Sequence, residues 1–184
     1  MTRRLVSLLL IGAAAVVGVS ASSPAAQTTA RFRVTVYFLA DRQSAPLGVR
    51  RTVVRRGSAP LARLALEQLL VGPNGRDRHE GLTSAIPAGT NIRSFSIRQR
   101  PRGSTATLDL AGLPPLSHVS GVTIARIGTQ IARTVIGLSD VSRVRIESNG
   151  HPWNFWLMSG GVSNRAWDYQ LLVGLWVGNF KALP

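Results

Sequence analysis

The sequence has no cysteine. That excludes disulfides, thiolate metal sites and lipid attachment at a cysteine, so the fold must rest on its apolar core. Imidazoles are scarce too: His79, His118 and His151 stand far apart, and His79-Glu80 lacks the second His of a zinc-hydrolase helix. Asp41, Asp109, Asp140 and Asp168 are scattered, and no G-x-S-x-G motif singles out a serine. No catalytic group, no metal site and no cofactor is therefore expected. Lysine is almost missing, with Lys181 its sole example.

What is abundant is arginine. The chain carries 22 Lys+Arg against 8 Asp+Glu, a formal net charge of +14 in 184 residues. Guanidinium forks suit phosphate and carboxylate, although a GC-rich coding bias gives the same composition without a ligand. Hydrophobic residues make up 45% of the chain, enough for the core of one ordinary domain.

Two apolar runs stand at the ends. Thr2-Arg3-Arg4 precedes an uncharged stretch from Leu5 to Ala21, and Val19-Ser20-Ala21 and Ser23-Pro24-Ala25 offer small-x-small cleavage sites. This pattern reads as a signal peptide over 1–25, cleaved near 21 or 25, with a signal anchor as the alternative. The product is then secreted or associated with the cell envelope. Leu171 to Phe180 is too short to span a bilayer, and with Trp167, Tyr169 and Trp176 it is read as a Trp-rich extension, 157–184, packed back on the domain.

Between these ends, periodicity sets out the elements. Phe32, Val34, Val36 and Phe38 alternate with Arg33, Thr35 and Tyr37, which predicts a strand over 31–39. Asp41 to Gly48 carries turn formers, and Arg50 to Arg56 reads as a short edge strand blunted by charge. Ser58 is a candidate N-cap with Pro60 in the first turn, and Ala62, Ala65, Leu66, Leu69 and Leu70 share one helical face up to the stop at Gly72-Pro73. Alternation around Phe95 and Ile97, and then around Ala106, Leu108 and Leu110, makes a hairpin across Pro101 to Ser104.

A second helix gathers Ile124, Ile127, Gly128, Ile131 and Val135 on its buried face, with Arg126, Thr129, Arg133 and Thr134 off it, and stops at Gly137. Val144 and Ile146 alternate with Arg143, Arg145 and Glu147 before Asn149-Gly150, a type I′ turn dipeptide, with His151 to Trp156 as the returning strand. The expected class is α+β: a single two-layer sandwich, its mixed or antiparallel sheet covered on one face by two main helices.

The segment from Leu70 to Thr90 adds a resemblance. Leu70-Val71-Gly72-Pro73, then Glu80-Gly81-Leu82-Thr83-Ser84-Ala85-Ile86-Pro87-Ala88-Gly89-Thr90, is similar to the hallmark of the GerMN domain family of sporulation and spore germination proteins. Ala106 to Leu110, with Asp109, resembles the family's "ATVD" strand, Gln130 to Val135 its second helix, and Val144 to Pro152 its closing strand and turn. The GerMN-like domain is placed at 31–156, with a shortened, Pro-rich loop over 111–121. The resemblance implies a non-enzymatic protein-interaction or assembly module in sporulation or germination, akin to ring-building domains of secretion-like assemblies. Gly72, Pro73, Glu80, Gly81, Leu82, Ile86, Pro87, Gly89 and Asp109 are then structural motif residues.

If both helices cover the side bearing Phe32, Val34, Phe95, Ile97, Val144 and Ile146, then Arg33, Arg98, Arg143 and Arg145 emerge together on the other. With Tyr37, Trp153 and Trp156 they form a candidate partner or anion surface. The expected partners are envelope proteins or a second copy of the chain. Anionic wall polymer or a membrane surface is the alternative reading, a small envelope hydrolase a third. Nucleic acid is not expected, since the paired aromatics of RNA-binding sheets are missing.

Overall fold

The computed structural model describes residues 29–40, 43–101, 103–136, 138, 141–153 and 167–168. The leader, Gly137, Trp156 and the stretch beyond Asp168 lie outside the described residues. The architecture is α+β, with the strands sorted into two sheets around a shared core.

The first sheet is built on a long antiparallel ribbon. Strand β1 (Thr29–Ala40) pairs with β2 (Gln43–Arg56) from Thr29↔Arg56 to Ala40↔Gln43, and its far end also pairs with the short β3 (Leu82–Thr83). The region around Asp41 to Gly48, expected as a turn, is thus mostly strand. Alternation sends Val34, Val36 and Phe38 into the core and Arg31 and Arg33 to solvent.

The second sheet is mixed. Strands β4 (Asn91–Arg98) and β5 (Ser104–Ala111) form an antiparallel hairpin, and β5 runs parallel to β6 (Val141–Ser148) after a crossover through a helix. The edge of β6 then takes two short antiparallel strands, β7 (His151–Pro152) and β8 (Trp167–Asp168), so part of the C-terminal extension returns to the domain. The turn into β7 has φ of 54° at Asn149 and 80° at Gly150, the two positive values that a type I′ turn requires.

Helix α1 (Leu61–Val71) buries Ala62, Ala65, Leu66 and Leu69. Its N-cap is Pro60 rather than Ser58, with extended φ, ψ of −62°, 136° and no side-chain cap. Gly72 ends it at φ 84°, donating to the Leu69 carbonyl at 3.0 Å. A second, unforeseen helix, α2 (Gly75–His79), is nucleated by a reciprocal capping box between Asn74 and Asp77.

Helix α3 (Gly121–Ile136) packs against α1, β1 and β6, so it is enclosed on more than one side. This corrects the expected one-faced helix: Thr129 and Thr134, placed off the apolar stripe, are buried, as is Gln130. Gln130 and Thr134 share one partner. Gln130 Nε2 donates to the Tyr37 carbonyl at 3.1 Å, and Thr134 Oγ1 accepts from the Tyr37 amide at 3.1 Å. The edge of β1 away from β2 is therefore bonded at Tyr37 by a helix, which is why the strands divide into two sheets where one was expected.

Candidate functional site

The hallmark residues between Leu70 and Thr90 converge on one surface because each segment ends in a turn that hands the chain to the next. After Gly72, the Pro73 carbonyl accepts from the Arg78 guanidinium, which ties the loop to α2. Glu80 caps α2 and accepts from Arg76 Nε at 2.9 Å, a contact that, first through the hydrogen bond and then through charge, raises the Arg76 pKa. Gly81, at φ 78°, turns the chain into β3, where Leu82 is buried against β1.

The rest of the motif is fixed from below. Gln130 Oε1 accepts from the Ala85 amide at 2.8 Å, Ser84 Oγ accepts from the Ile86 amide at 3.1 Å, and Ile86 is buried. The Pro87 carbonyl accepts from the Thr90 amide at 3.3 Å and from its hydroxyl at 2.8 Å, closing a turn that places Gly89 at φ 83°. Beneath it all, the buried Asp77 carboxylate accepts from the Asn74 amide at 2.8 Å and pairs with Arg51 of β2. Composition alone hides Asp77 among solvated charges; the Asn-x-x-Asp spacing is the signal that marks it.

These turns leave a groove of about 540 Å³ walled by Leu70–Pro73 on one side and by Gly81–Ser84, Ile86 and Ala88 on the other. A second depression of about 350 Å³ shares Leu70 and Val71 and continues to Gly89–Ile92, rimmed by the Arg63–Glu67 ion pair at 3.1 Å. Val71 stands between the two and is 81% exposed, the most exposed of the large apolar side chains described. The groove also runs beside β3, the terminal strand of its sheet.

The candidate anion surface does not assemble as expected. Arg33 and Tyr37 lie on β1 of the first sheet, whereas Arg98, Arg143 and Arg145 lie on β4 and β6 of the second. Within the second sheet the register aligns Arg98, Thr105 and Arg143 in one row, and Ser96, Thr107 and Arg145 in the next. The same face carries Asp109 and Glu147 in a third row, so it is mixed in sign. Arg145 is half-buried, and its Nε has no hydrogen-bond partner among the described residues.

Trp153 is a correction. It is 2% exposed, with Nε1 donating to the Pro114 carbonyl at 2.9 Å, so it anchors the Pro-rich loop to the core instead of offering a stacking surface. Tyr37 is half-buried beneath the Arg133 guanidinium, 5.6 Å from its ring centroid. Trp156 lies outside the described residues.

Asp109 is buried on its strand, where Oδ1 accepts from the Gly150 amide at 3.0 Å and Oδ2 lies 3.7 Å from Arg93 Nε. It holds the β6–β7 turn. His79, His118 and His151 are all exposed on separate elements, and among the described residues no three His, Asp or Glu converge as metal ligands. No helix among them is long and apolar enough to cross a membrane.

Two sheets packed on shared helices, with a motif-walled groove at the end of α1, define an α+β domain. The chain belongs to the Germane family, sporulation and spore germination, whose model matches residues 35–153. No curated protein matches it. Among solved structures it is similar to the tandem GerMN domains of the sporulation protein GerM from Bacillus subtilis, at 19% identity and TM-score 0.48, covering 74% of this chain and 44% of that one. The first GerMN domain of the same protein aligns at 20% identity and TM-score 0.45, over 66% of this chain and 85% of that one. A Clostridium perfringens structure described as a candidate lipoprotein aligns at 13% identity and TM-score 0.48, over 76% of this chain and 89% of its own.

Proposed function

We propose that this protein is a non-enzymatic, extracytoplasmic interaction and assembly module of the cell envelope that serves sporulation or germination through its hallmark groove. The observation that carries this reading is Val71: an aliphatic side chain, 81% exposed, held between two depressions walled by the family's own motif residues. An isolated exposed valine is unremarkable on a protein surface, but one set at the rim of a preformed apolar groove gains contact area when a partner segment fills it. The terminal strand β3 alongside offers main-chain groups that an extended segment can pair with. The partner is an envelope protein or a second copy of the chain.

A photo-crosslinking residue at position 71, in cells entering sporulation, tests this directly. A discrete high-mass adduct is expected, together with its loss when Ala88→Arg obstructs the groove. Adducts with lipid or none at all, from a chain whose melting temperature is unchanged, would refute the groove as the interaction site.

A further inference from the structure

Strands β1 and β2 hold six arginines, at 31, 33, 50, 51, 55 and 56, and neither strand contains an aspartate or glutamate. Their register sorts these into two sets. Arg51 stands opposite Val34 and Arg55 opposite Ala30, on the core side, and both have structural occupations. Arg51 pairs with Asp77 and lies 5.7 Å from the Phe38 ring centroid, while Arg55 lies 4.6 Å from that of Phe32. The other four, Arg31, Arg33, Arg50 and Arg56, point to the opposite face, are exposed, and have no ion pair among the described residues.

The register also sets their spacing. Arg56 sits opposite Thr29, Arg31 opposite Val54, Arg33 opposite Thr52, and Arg50 opposite Thr35. Each is therefore the diagonal or same-strand neighbour of the next, about 7–8 Å across the diagonal and about 7 Å along a strand. The result is a zigzag of guanidinium groups roughly 20 Å long on one side of a two-stranded ribbon. Four like charges at this spacing repel one another, and a polyanion that binds them relieves that repulsion and releases the counterions condensed along its own chain.

We propose that this ribbon face is a binding strip for a linear phosphodiester polymer that carries no bases, of the polyol-phosphate class found in cell walls. The inference stands apart from the groove reading, since it uses the opposite side of the sheet and a different chemistry. Three features choose the occupant. Arginine forks bind phosphate oxygens two at a time, which a carboxylate-poor strip leaves free to happen. The strip is a single narrow row rather than a plane, which suits a chain more than a bilayer. The one aromatic on this face, Tyr37, has its ring beneath Arg133 and beside Gly48, where an added Cβ would come within 3.3 Å of the ring, so stacking on a nucleobase is already pre-empted.

The test compares the purified full chain with two quadruple variants of equal charge loss: R31S/R33S/R50S/R56S on the strip, and R98S/R100S/R126S/R143S elsewhere. Binding to deacylated glycerol-phosphate polymer is measured by calorimetry at several salt concentrations. The strip variant should bind at least tenfold more weakly, and the slope of log K against log salt should flatten by roughly 3, about 0.7 for each lost contact. The control variant should stay within threefold of the parent, with both variants melting close to it. The pair R31S/R33S, a milder change, should show about half of the slope effect. Equal weakening in the two quadruple variants would reduce the effect to net charge and overturn the proposal. So would tighter binding to oligothymidylate or to phosphatidylglycerol vesicles than to the polymer at matched phosphate concentration.

Discussion

The buried Gln130 side chain donates to the Tyr37 carbonyl at 3.1 Å across 93 positions of sequence, while Thr134, one helical turn on, accepts from the Tyr37 amide. Two side chains of α3 thereby complete the main-chain bonding of a strand residue, and the other end of the same glutamine accepts from Ala85 in the hallmark loop. One buried amide thus joins the first sheet, the central helix and the wall of the groove.

Gln130→Leu should therefore strand the Tyr37 carbonyl and the Ala85 amide together. At about 1–3 kcal/mol for each unsatisfied buried group, the loss should be about 2–6 kcal/mol, read as a fall in the urea midpoint. Gln130→Glu, able to accept from Ala85 but not to donate to Tyr37, should also destabilise. A midpoint at the parent value for the leucine variant would show that these groups reach water.

Asp77→Ala should cost about 3 kcal/mol, because it removes the carboxylate arm of the α2 capping box and leaves the largely enclosed Arg51 side chain without its carboxylate. The double variant Asp77→Ala with Arg51→Met should recover part of that loss. Thermal unfolding of the four members of the cycle measures the coupling, and additive effects would show that the pair does not interact.

Gly128→Leu should destabilise the fold by about 1–3 kcal/mol. Gly128 is buried on α3, in a helix enclosed by α1, β1 and β6, where an isobutyl group has to displace packed neighbours. Guanidinium unfolding with fluorescence detection checks it. An unchanged midpoint would mean that the helix shifts to admit the side chain.

Arg143→Ser should change stability by no more than about 0.5 kcal/mol, since its side chain is exposed. Arg145→Ser should behave similarly, because the buried Nε it removes has no hydrogen bond to lose among the described residues. A loss above 1 kcal/mol for Arg145 by denaturant titration would point to packing of its aliphatic stem.

The elements legible in the sequence were those written in local periodicity and punctuation. The apolar stripe of α1 ends at Gly72-Pro73, the β4–β5 hairpin turns near Gly103, and Asn149-Gly150 adopts the two positive φ angles its dipeptide favours. The division into two sheets was not legible. It depends on Gln130 and Thr134 meeting Tyr37, and nothing near either end of those bonds announces the other. Trp153 misleads for a related reason: at a strand end it reads as exposed, and only the distant Pro114 carbonyl lets its indole N–H enter the core. The candidate arginine face failed because alternation fixes which side of its own strand a residue takes, but not which sheet that strand joins. The groove arises where three turns are packed together, although the residues that wall it carry the family resemblance.

The bonds from Tyr37 to α3 also order events in time. The β1–β2 ribbon is complete within the first third of the chain, yet the helix that satisfies its other edge lies 93 to 97 positions downstream. A chain emerging from its N-terminus holds an open strand edge until α3 arrives, and the arginines along the ribbon, by mutual repulsion, discourage another such edge from pairing with it in the interval.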